Sequence, residues 1–480
     1  MGRMFNRLRH ALKNMNLRAF DAAGGGRRWD HAKTVDSLNA AILAGATVSA
    51  RRAGYYARNN PWVVSSVQGL VGNAVGTGIK PRSRHPDATV RNKLHALWNQ
   101  WTDKADAAGL TDFYGLQALA MRAMVESGET FARLRVTEDT SGLVPLRLEL
   151  LDREQVPMDL HREIVAGSRI RAGIEFDANG QRVAYHCYQQ RPGDPLAPMR
   201  LDVIRLPATE VIHLFHALAP GQLRGMTWLA PILLRLHELD QYEDAALVKA
   251  KVAALFTGFI RDPDGTVAGL NNGSGTGGVL QVGMEPGSLI PLPPGADIQF
   301  SDPADPGDYG AYVKNHIRAI ASGMGLPYEL VSGDLEDVTY SSIRAGLVEF
   351  RRRIEQLQHS VIVFQFCRPV WERFVRLAVL AGHIPARDFD RDPQSFLAVD
   401  WLPPKWDWVD PQKDARAEID QINAGLKSRS QSIAERGYDA EEVDAAIAAD
   451  HAREKELGLV FQTPPANANN TANEGAAANA

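Results

Sequence analysis

The sequence predicts an α+β fold organised around long helices. From Thr227 to Gly382 the chain shows a helix, an insert cut by Pro and Gly, a second helix and a very long helix, whereas strand patterns dominate residues 130–216. Apolar residues at three- and four-residue spacing indicate the helices, and short apolar runs bounded by turn residues indicate the strands. At 480 residues the chain exceeds one compact core, so we expect two or more subdomains.

The composition is that of an ordinary globular protein. Hydrophobic residues make up 45%, charged residues 23%, and the net charge of −4 argues against a surface that grips DNA all over. Cys187 and Cys367 are far apart and lack metal-ligand spacing, so we expect buried thiols. No apolar run reaches the length of a membrane span, and the N-terminus lacks the apolar core of a secretory signal. These features fit both a cytoplasmic product that assembles into a particle and a cytoplasmic enzyme.

The first segment, residues 1–34, is basic. Up to Lys33 it holds eight Lys and Arg residues against two Asp, a net charge of +6. Two interpretations stay open: a frayed basic tail, or an amphipathic arm that docks on a scaffold, a shell or DNA.

Residues 35–226 combine helices and strands. Amphipathic helices are predicted near residues 61–75, 92–106 and 111–129, and Trp98 and Trp101 on the second are expected to pack in the core. Strands follow, and DANGQ at residues 177–181 is a hairpin signal.

The central helices come next. The first is predicted from Thr227 as N-cap to residue 260, with Pro231 in its first turn. A β-containing insert, a second helix, a short loop and a long helix follow, and Pro369 predicts a kink in the long helix. The tail is of low complexity and is expected to be disordered. The predicted bounds are 261–306 for the insert, 307–325 for the second helix, 326–342 for the loop, 343–382 for the long helix and 461–480 for the tail.

Four blocks of this sequence resemble the lambda-type portal proteins of tailed bacteriophages. They are ARNNPWVVSSVQGLVGNAVGTGIKP (57–81), LQALAMRAMVESGETFARLRV (116–136), GQLRGMTWLAPILLRLHELDQYEDAALVKAKVAALFTGFI (221–260) and residues 325–350. The resemblance covers roughly residues 35–460 and implies a portal fold. Its parts would be an α/β wing (35–226), stem helices (227–260 and 307–325), a clip (261–306), a tunnel loop (326–342), a long kinked helix (343–382) and a helical C-terminal wing or crown region (383–460).

The resemblance also implies a function. Such proteins form a homo-oligomeric ring, typically dodecameric, at one capsid vertex, where they act as the head–tail connector. They nucleate capsid assembly, and double-stranded DNA passes through the ring during packaging and ejection. The implied partners are other copies of the chain, the terminase large subunit, head-completion or adaptor proteins and the major capsid or scaffold protein, with no membrane partner. The clip is the implied docking surface, and the implied location is the virion, with the host cytoplasm during assembly.

Two sets of residues are candidates for the wall of the implied channel. One is the acidic loop, in which we expect the DNA to pass Gly333, Asp334, Glu336, Asp337 and Thr339, although a solvated surface loop has the same composition. The other is a sparse basic ring on the stem helices, formed by Lys249, Lys251, Lys314 and Arg318. Few basic residues suit a conduit, because each neutralised phosphate adds affinity that would hold the DNA in place.

The sequence contains no motif for covalent chemistry. Gly273-x-Gly275-x-x-Gly278 matches the dinucleotide fingerprint but lacks its flanking strand and helix, and P-loop, HExxH, paired CxxC and GxSxG motifs do not occur. We therefore expect no enzyme activity, catalytic residue, cofactor or metal, and the DNA-pumping ATPase must be a partner. Two alternatives stay open: another phage structural protein, and a metal-dependent nuclease that uses Asp334, Glu336 and Asp337.

Overall fold

The computed structural model describes residues 37–138, 144–164, 167–195, 202–255, 259–261, 297–299, 309–336, 339–404, 406 and 411–459. Helices and antiparallel strands alternate along these ranges, which confirms the predicted α+β class. The basic segment, most of the insert, Asp337 and the tail lie outside the described residues.

The described chain begins with helices. Asn60 separates α1 (Leu38–Asn59) from α2 (Pro61–Ala74) and accepts a hydrogen bond from the N–H of Val63. An Asn cap followed by Pro at the first helical position fixes the start of α2, because Pro has no N–H to leave unsatisfied there. Strand β1 (Lys80–Ser83) follows.

Asp87 caps α3 (Ala88–Thr102), and Asp112 caps α4 (Phe113–Ser127) by accepting the N–H of Gly115 at 2.7 Å. These two helices carry the aromatic centre of the core. Their rings join those of the long helix described below.

Eight of the described strands form two antiparallel sheets. A three-stranded sheet has the order β3–β2–β9, and a five-stranded sheet runs from β4 to β8 in sequence order. The N–H of Asp177 bonds the carbonyl of Gln181 at 2.9 Å, so the predicted hairpin turn joins β6 to β7. The strands are β2 (Glu129–Val136), β3 (Leu146–Leu151), β4 (Arg162–Glu163), β5 (Arg169–Arg171), β6 (Ile174–Phe176), β7 (Arg182–Tyr188), β8 (Val203–Pro207) and β9 (Val211–Phe215).

The first central helix, α5, spans Leu233–Leu255, so the predicted start at Thr227 is wrong. The predicted end at residue 260 is wrong as well, because that residue lies in a strand. Thr227 is buried, its hydroxyl donates to the carbonyl of Val125 at 3.3 Å, and the next residues form i→i+3 turns. Pro231 contributes no N–H to these turns, and the regular helix begins only two residues after it.

Short strands and helices follow α5. Strands β10 (Phe259–Arg261) and β11 (Asp297–Gln299) pair with each other and are the only described part of the insert. They are followed by α6 (Tyr309–Met324) and α7 (Tyr328–Ser332).

The long helix has three segments. They are α8 (Tyr340–Leu357), a π-helical segment (Gln358–Cys367) and α9 (Arg368–Leu380). Pro369, at which the sequence predicts a kink, lies at the start of α9. Because proline clashes with the preceding turn of an α-helix, the wider π-helical turns directly before it accommodate the ring.

The C-terminal region returns to the first strand. After α10 (Ala386–Arg391) and α11 (Pro393–Leu397), β12 (Val399–Leu402) pairs antiparallel with β1. Arg82 lies 3.0 Å from Asp439 and Arg91 lies 2.7 Å from Glu441, so both ion pairs join the last helix to β1 and α3. The last helices are α12 (Pro411–Asn423), α13 (Arg429–Glu435) and α14 (Ala440–Leu457).

An aromatic cluster forms the centre of the main core. The ring of Trp98 lies 4.8 Å from Trp101, 5.2 Å from Trp371 and 5.0 Å from Phe374, all buried, so the predicted core role of the tryptophan pair is confirmed. Helices far apart in sequence thus share one core.

Both cysteines are free and buried, as predicted, and burial raises the pKa of Cys187 to about 12. Within the described ranges, the helices are too short or too polar to span a membrane.

Candidate channel loop and buried ion cluster

Helix ends occupy most of the candidate channel loop, residues 326–342. Gly333 ends α7 with φ of 69°, a left-handed conformation that favours glycine, and its N–H bonds the carbonyl of Glu329 at 2.9 Å. Thr339 begins α8 as N-cap by accepting the N–H of Ser342 at 3.3 Å. Two of the five predicted loop residues therefore have a local structural role.

Asp334 is tied to its neighbours. Its carboxylate accepts the hydroxyl of Tyr328 at 3.1 Å and the N–H of Glu336 at 3.0 Å, and it lies 3.5 Å from Nζ of Lys314. The N–H of Glu336, followed by the hydroxyl of Tyr328, lowers the pKa of Asp334 below its ordinary value. The side chain of Glu336 is exposed.

The structure brings two of the four predicted basic residues to this loop. Nζ of Lys314 lies 5.9 Å and Cζ of Arg318 lies 5.4 Å from the ring centroid of Tyr328, within cation–π range. Lys249 and Lys251 lie on α5, half-buried and exposed respectively. The acidic and basic sets, predicted as separate features, therefore meet in part around Tyr328, whose role the sequence analysis missed.

A larger charged cluster, not predicted, is buried beside the sheets. Glu129 begins β2, and Arg224 lies ahead of α5; neither side chain has exposed surface, and Nη2 of Arg224 is 2.8 Å from the Glu129 carboxylate. Nε of Arg153 lies 3.3 Å from the same carboxylate, and the N–H of Gly225 donates to it at 2.7 Å. Burial alone would raise the pKa of Glu129, but Arg224, His213 and Arg153 overcome this and hold it well below its ordinary value.

The two arginines use their remaining donors on backbone carbonyls. Arg224 donates to the carbonyls of Val156 at 3.0 Å and Ala172 at 2.7 Å. Arg153 donates to Ala46 at 2.9 Å and Ser127 at 3.0 Å. The cluster therefore ties α1, the end of α4, the five-stranded sheet and the segment before α5 to one carboxylate.

His213, on β9, completes the cluster. Its Nε2 lies 2.9 Å from Glu129, and its Nδ1 lies 3.1 Å from Nη1 of Arg182. A neutral ring that donates from Nε2 and accepts at Nδ1 satisfies both contacts. Burial lowers the pKa of His213 to about 4; Glu129 opposes this shift, and Arg182 and Arg224 reinforce it.

Two glycines let the backbones approach closely enough for this pairing. Gly128 ends α4 with φ of 92°, and a Cβ on it would lie 2.2 Å from the carbonyl carbon of Met226. A Cβ on Gly225 would lie 2.1 Å from the carbonyl oxygen of Gly128. The sequence signal for the cluster was a charged residue beside each glycine, in SGE (127–129) and RGM (224–226).

No three His, Cys, Asp or Glu side chains are grouped so as to hold a metal ion, among the residues that the structure describes. In the buried cluster, guanidinium groups surround one carboxylate, and this arrangement holds elements of the fold together.

Comparison with known proteins places these features in context. The phage portal protein family of lambda type matches residues 25–358, a span that includes the loop and the buried cluster. The probable portal protein of Halomonas phage phiHAP-1 is 29% identical over 409 residues, covering 81% of this chain and 76% of that protein. Portal protein B of Escherichia phage lambda is 23% identical over 478 residues, covering 90% and 88%. Among solved structures, a chain in the virion of a native gene transfer agent particle has a TM-score of 0.46 at 16% identity, covering 82% of this chain and 93% of that chain.

We expect the protein to lose stability as pH falls through the titration of His213. Between the ordinary value of 6.5 and about 4, the unfolded chain binds a proton at His213 and the folded chain does not. The free energy of unfolding therefore decreases as the pH is lowered through this window. The total decrease between pH 6.5 and pH 4 is about 3 kcal/mol. Urea unfolding followed by circular dichroism across this range measures the slope.

The variant His213→Gln should flatten the slope, and the control His451→Gln, on the exposed surface of α14, should keep it. An unchanged slope in His213→Gln would contradict the assignment.

Proposed function

The chain belongs to the lambda family of phage portal proteins, and from this membership we propose that it forms a closed ring at one capsid vertex. The supporting observation is the family match over residues 25–358, which confirms the resemblance found in the sequence. The ring is the conduit for packaging and ejection of double-stranded DNA. It nucleates assembly in the host cytoplasm, remains in the virion, and docks the terminase large subunit, head-completion proteins and capsid or scaffold protein, without covalent chemistry of its own.

Exposed apolar side chains on the central helices support the ring. Leu247 and Val248, in the second half of α5, are 51% and 50% exposed, and Tyr312 on the neighbouring α6 is 42% exposed with its ring 4.3 Å from that of Tyr242. On α8, Val348 is 43% exposed. Leu247 and Val248 are adjacent, and exposed apolar side chains that lie together are typical of protein contacts. We propose that these helices contact neighbouring subunits.

We expect purified protein to form rings with a central hole in negative-stain images. The variant Leu247→Gln with Val248→Gln should shift the mass distribution to smaller species, because a fully buried Leu or Val contributes roughly 1.5–3 kcal/mol. The matched control Leu110→Gln changes an 86% exposed side chain between α3 and α4 and should assemble normally. A folded wild-type protein that stays monomeric at micromolar concentration and near-neutral pH would overturn the ring.

We propose that the insert at 261–306 is the clip that docks the terminase motor. Its two described strands support a modular insert: β10 pairs with β11 so that Arg261 lies opposite Asp297. The two ends of the intervening chain are therefore adjacent, and a short connection can replace it without separating α5 from α6.

Replacing residues 262–296 by a short Gly/Ser linker should leave the fold intact and abolish binding of the cognate terminase large subunit. Circular dichroism and ring images monitor the fold, and a pull-down with the terminase measures docking. Retained binding by the shortened protein would contradict the clip assignment.

We propose that the loop with Gly333, Asp334, Glu336, Asp337 and Thr339 borders the DNA channel. Lys249, Lys251, Lys314 and Arg318 would provide its sparse basic ring. Because Asp334 is bonded to Tyr328 and Lys314, a lysine there would break a local contact and obscure any effect on DNA. Glu336, whose side chain is exposed, is the better test position.

The variant Glu336→Lys should slow packaging at low salt and recover as salt rises. A ring repeats the new charge in every subunit, and each additional phosphate that is neutralised steepens the log–log salt dependence by about 0.9. DNA length packaged per particle across a salt series is the measurement. Glu336→Gln controls for loss of the carboxylate, and Asp103→Lys, exposed at the end of α3, for the added charge. Wild-type packaging by Glu336→Lys at every salt would mean that the loop does not face DNA.

A further inference from the structure

A basic cleft lies between the sheets and α9. Its volume is about 760 Å³, and it is bounded by β7 and β9 on one side and by the π-helical segment and α9 on the other. The carboxamide of Gln365 accepts the N–H of Phe215 at 3.0 Å and so joins the two sides. Four arginines and a single carboxylate, Glu372, line this basic cleft; the arginines are Arg182, Arg368, Arg373 and Arg376.

None of the four arginines makes an ion pair with a residue in the described part of the chain. Arg182 donates to His213, and Cζ of Arg368 and of Arg376 lie 5.7 Å and 6.0 Å from aromatic ring centroids. Nε of Arg373 is buried and has no hydrogen-bond acceptor among the residues that the structure describes. An excess of positive charge at a concave surface favours binding of an anionic group.

The surroundings of the basic cleft favour a polypeptide over DNA. Phe364, 61% exposed, packs beside Arg368, and Leu134, Ile212 and Pro369 add apolar lining. Arginine next to an exposed aromatic side chain is typical of protein-binding hot spots. Duplex DNA is too wide to enter a cleft of this volume. Its charged phosphates would also make no favourable contact with an exposed phenylalanine ring.

A complementary surface lies elsewhere on the same chain. Helix α14, 18 residues long, buries only Ala440 among its described side chains, and Ile447 and Leu457 are 40% and 64% exposed. It holds six carboxylates against two basic residues, and Glu442 and Glu456 make no ion pair within the described ranges. A helix of this length derives its stability mainly from packing, so burial this limited calls for a partner.

We propose that the basic cleft of one subunit receives α14 from a second copy of the chain, on the side of the helix that carries the exposed Glu442 and Glu456. The inference rests on the proposed ring and names one of its contacts. Because the two surfaces differ, the contact is head-to-tail, the kind that closes rings. Its charge pairs are partly exposed, so added salt weakens it.

Charge reversal in the full-length protein tests the contact. The cleft variant Arg373→Glu with Arg376→Glu, and the helix variant Glu442→Lys with Glu456→Lys, should each raise the concentration for half-assembly at least roughly tenfold. The chain with all four substitutions restores opposite charges and should recover most of the assembly. Mass photometry across protein and salt concentrations measures this, and Arg162→Glu with Arg169→Glu, exposed on β4 and β5, is the matched control.

Circular dichroism checks the fold of each variant. If the cleft variant does not fold, Arg376→Glu alone, at an exposed position, replaces it. The proposed contact would be overturned if the cleft variant or the helix variant assembled like the wild type. It would also be overturned if the losses of assembly simply added up in the chain with four substitutions. Neither result would contradict the proposed ring. A wild-type protein without rings would overturn both. Loss of binding to a short DNA duplex or to inorganic phosphate, with assembly unchanged, would instead make the basic cleft a phosphate site and overturn the proposal.

Discussion

The buried pairing of Glu129 with Arg224 and Arg153 is the interaction on which the arrangement of sheets and central helices depends. A carboxylate without exposed surface is stable only when its charge is compensated, and removing one partner of such a cluster costs about 3–5 kcal/mol. Arg224 lies ahead of α5, and Arg153 bonds the carbonyls of Ala46 and Ser127. The direction in which the chain leaves the sheets toward α5 is therefore fixed by electrostatics as well as by packing.

This anchoring divides α5 into two parts. Near its start, Leu236 and Leu239 are fully buried in the main core, whereas Leu247 and Val248 further along are half exposed. One end is thus held by the fold of a single chain, and the other presents apolar surface. The π-helical segment acts similarly: Phe366 and Cys367 are buried while Phe364 projects beside the basic cleft. Elements held at one side and exposed at the other suit a subunit whose partners complete its packing.

Features that depend on local patterns could be predicted from the amino-acid sequence. Apolar spacing predicted the helices and the burial of Trp98 and Trp101, and the DANGQ turn predicted the hairpin between β6 and β7. Four sequence blocks indicated the family, which the family match confirms. Long matching segments are sufficient to predict a fold, but they do not show which side chains are in contact. The start of α5 was placed too early at Thr227, since an N-cap residue signals a turn whether or not a regular helix follows at once.

Contacts between charged residues far apart in sequence could not be predicted, because they depend on how the elements pack. Glu129 and Arg224 are separated by 95 residues, and no periodicity relates positions so far apart. Likewise, Asp334 and Lys314 were assigned to separate features of the channel, yet they meet beside Tyr328 because α6 and α7 pack together. The arginines of the basic cleft lie on β7 and on the long helix, which the fold brings to one surface. Local sequence specifies elements through nearest-neighbour sterics and burial, whereas ion pairs between elements arise only when packing sets the distances.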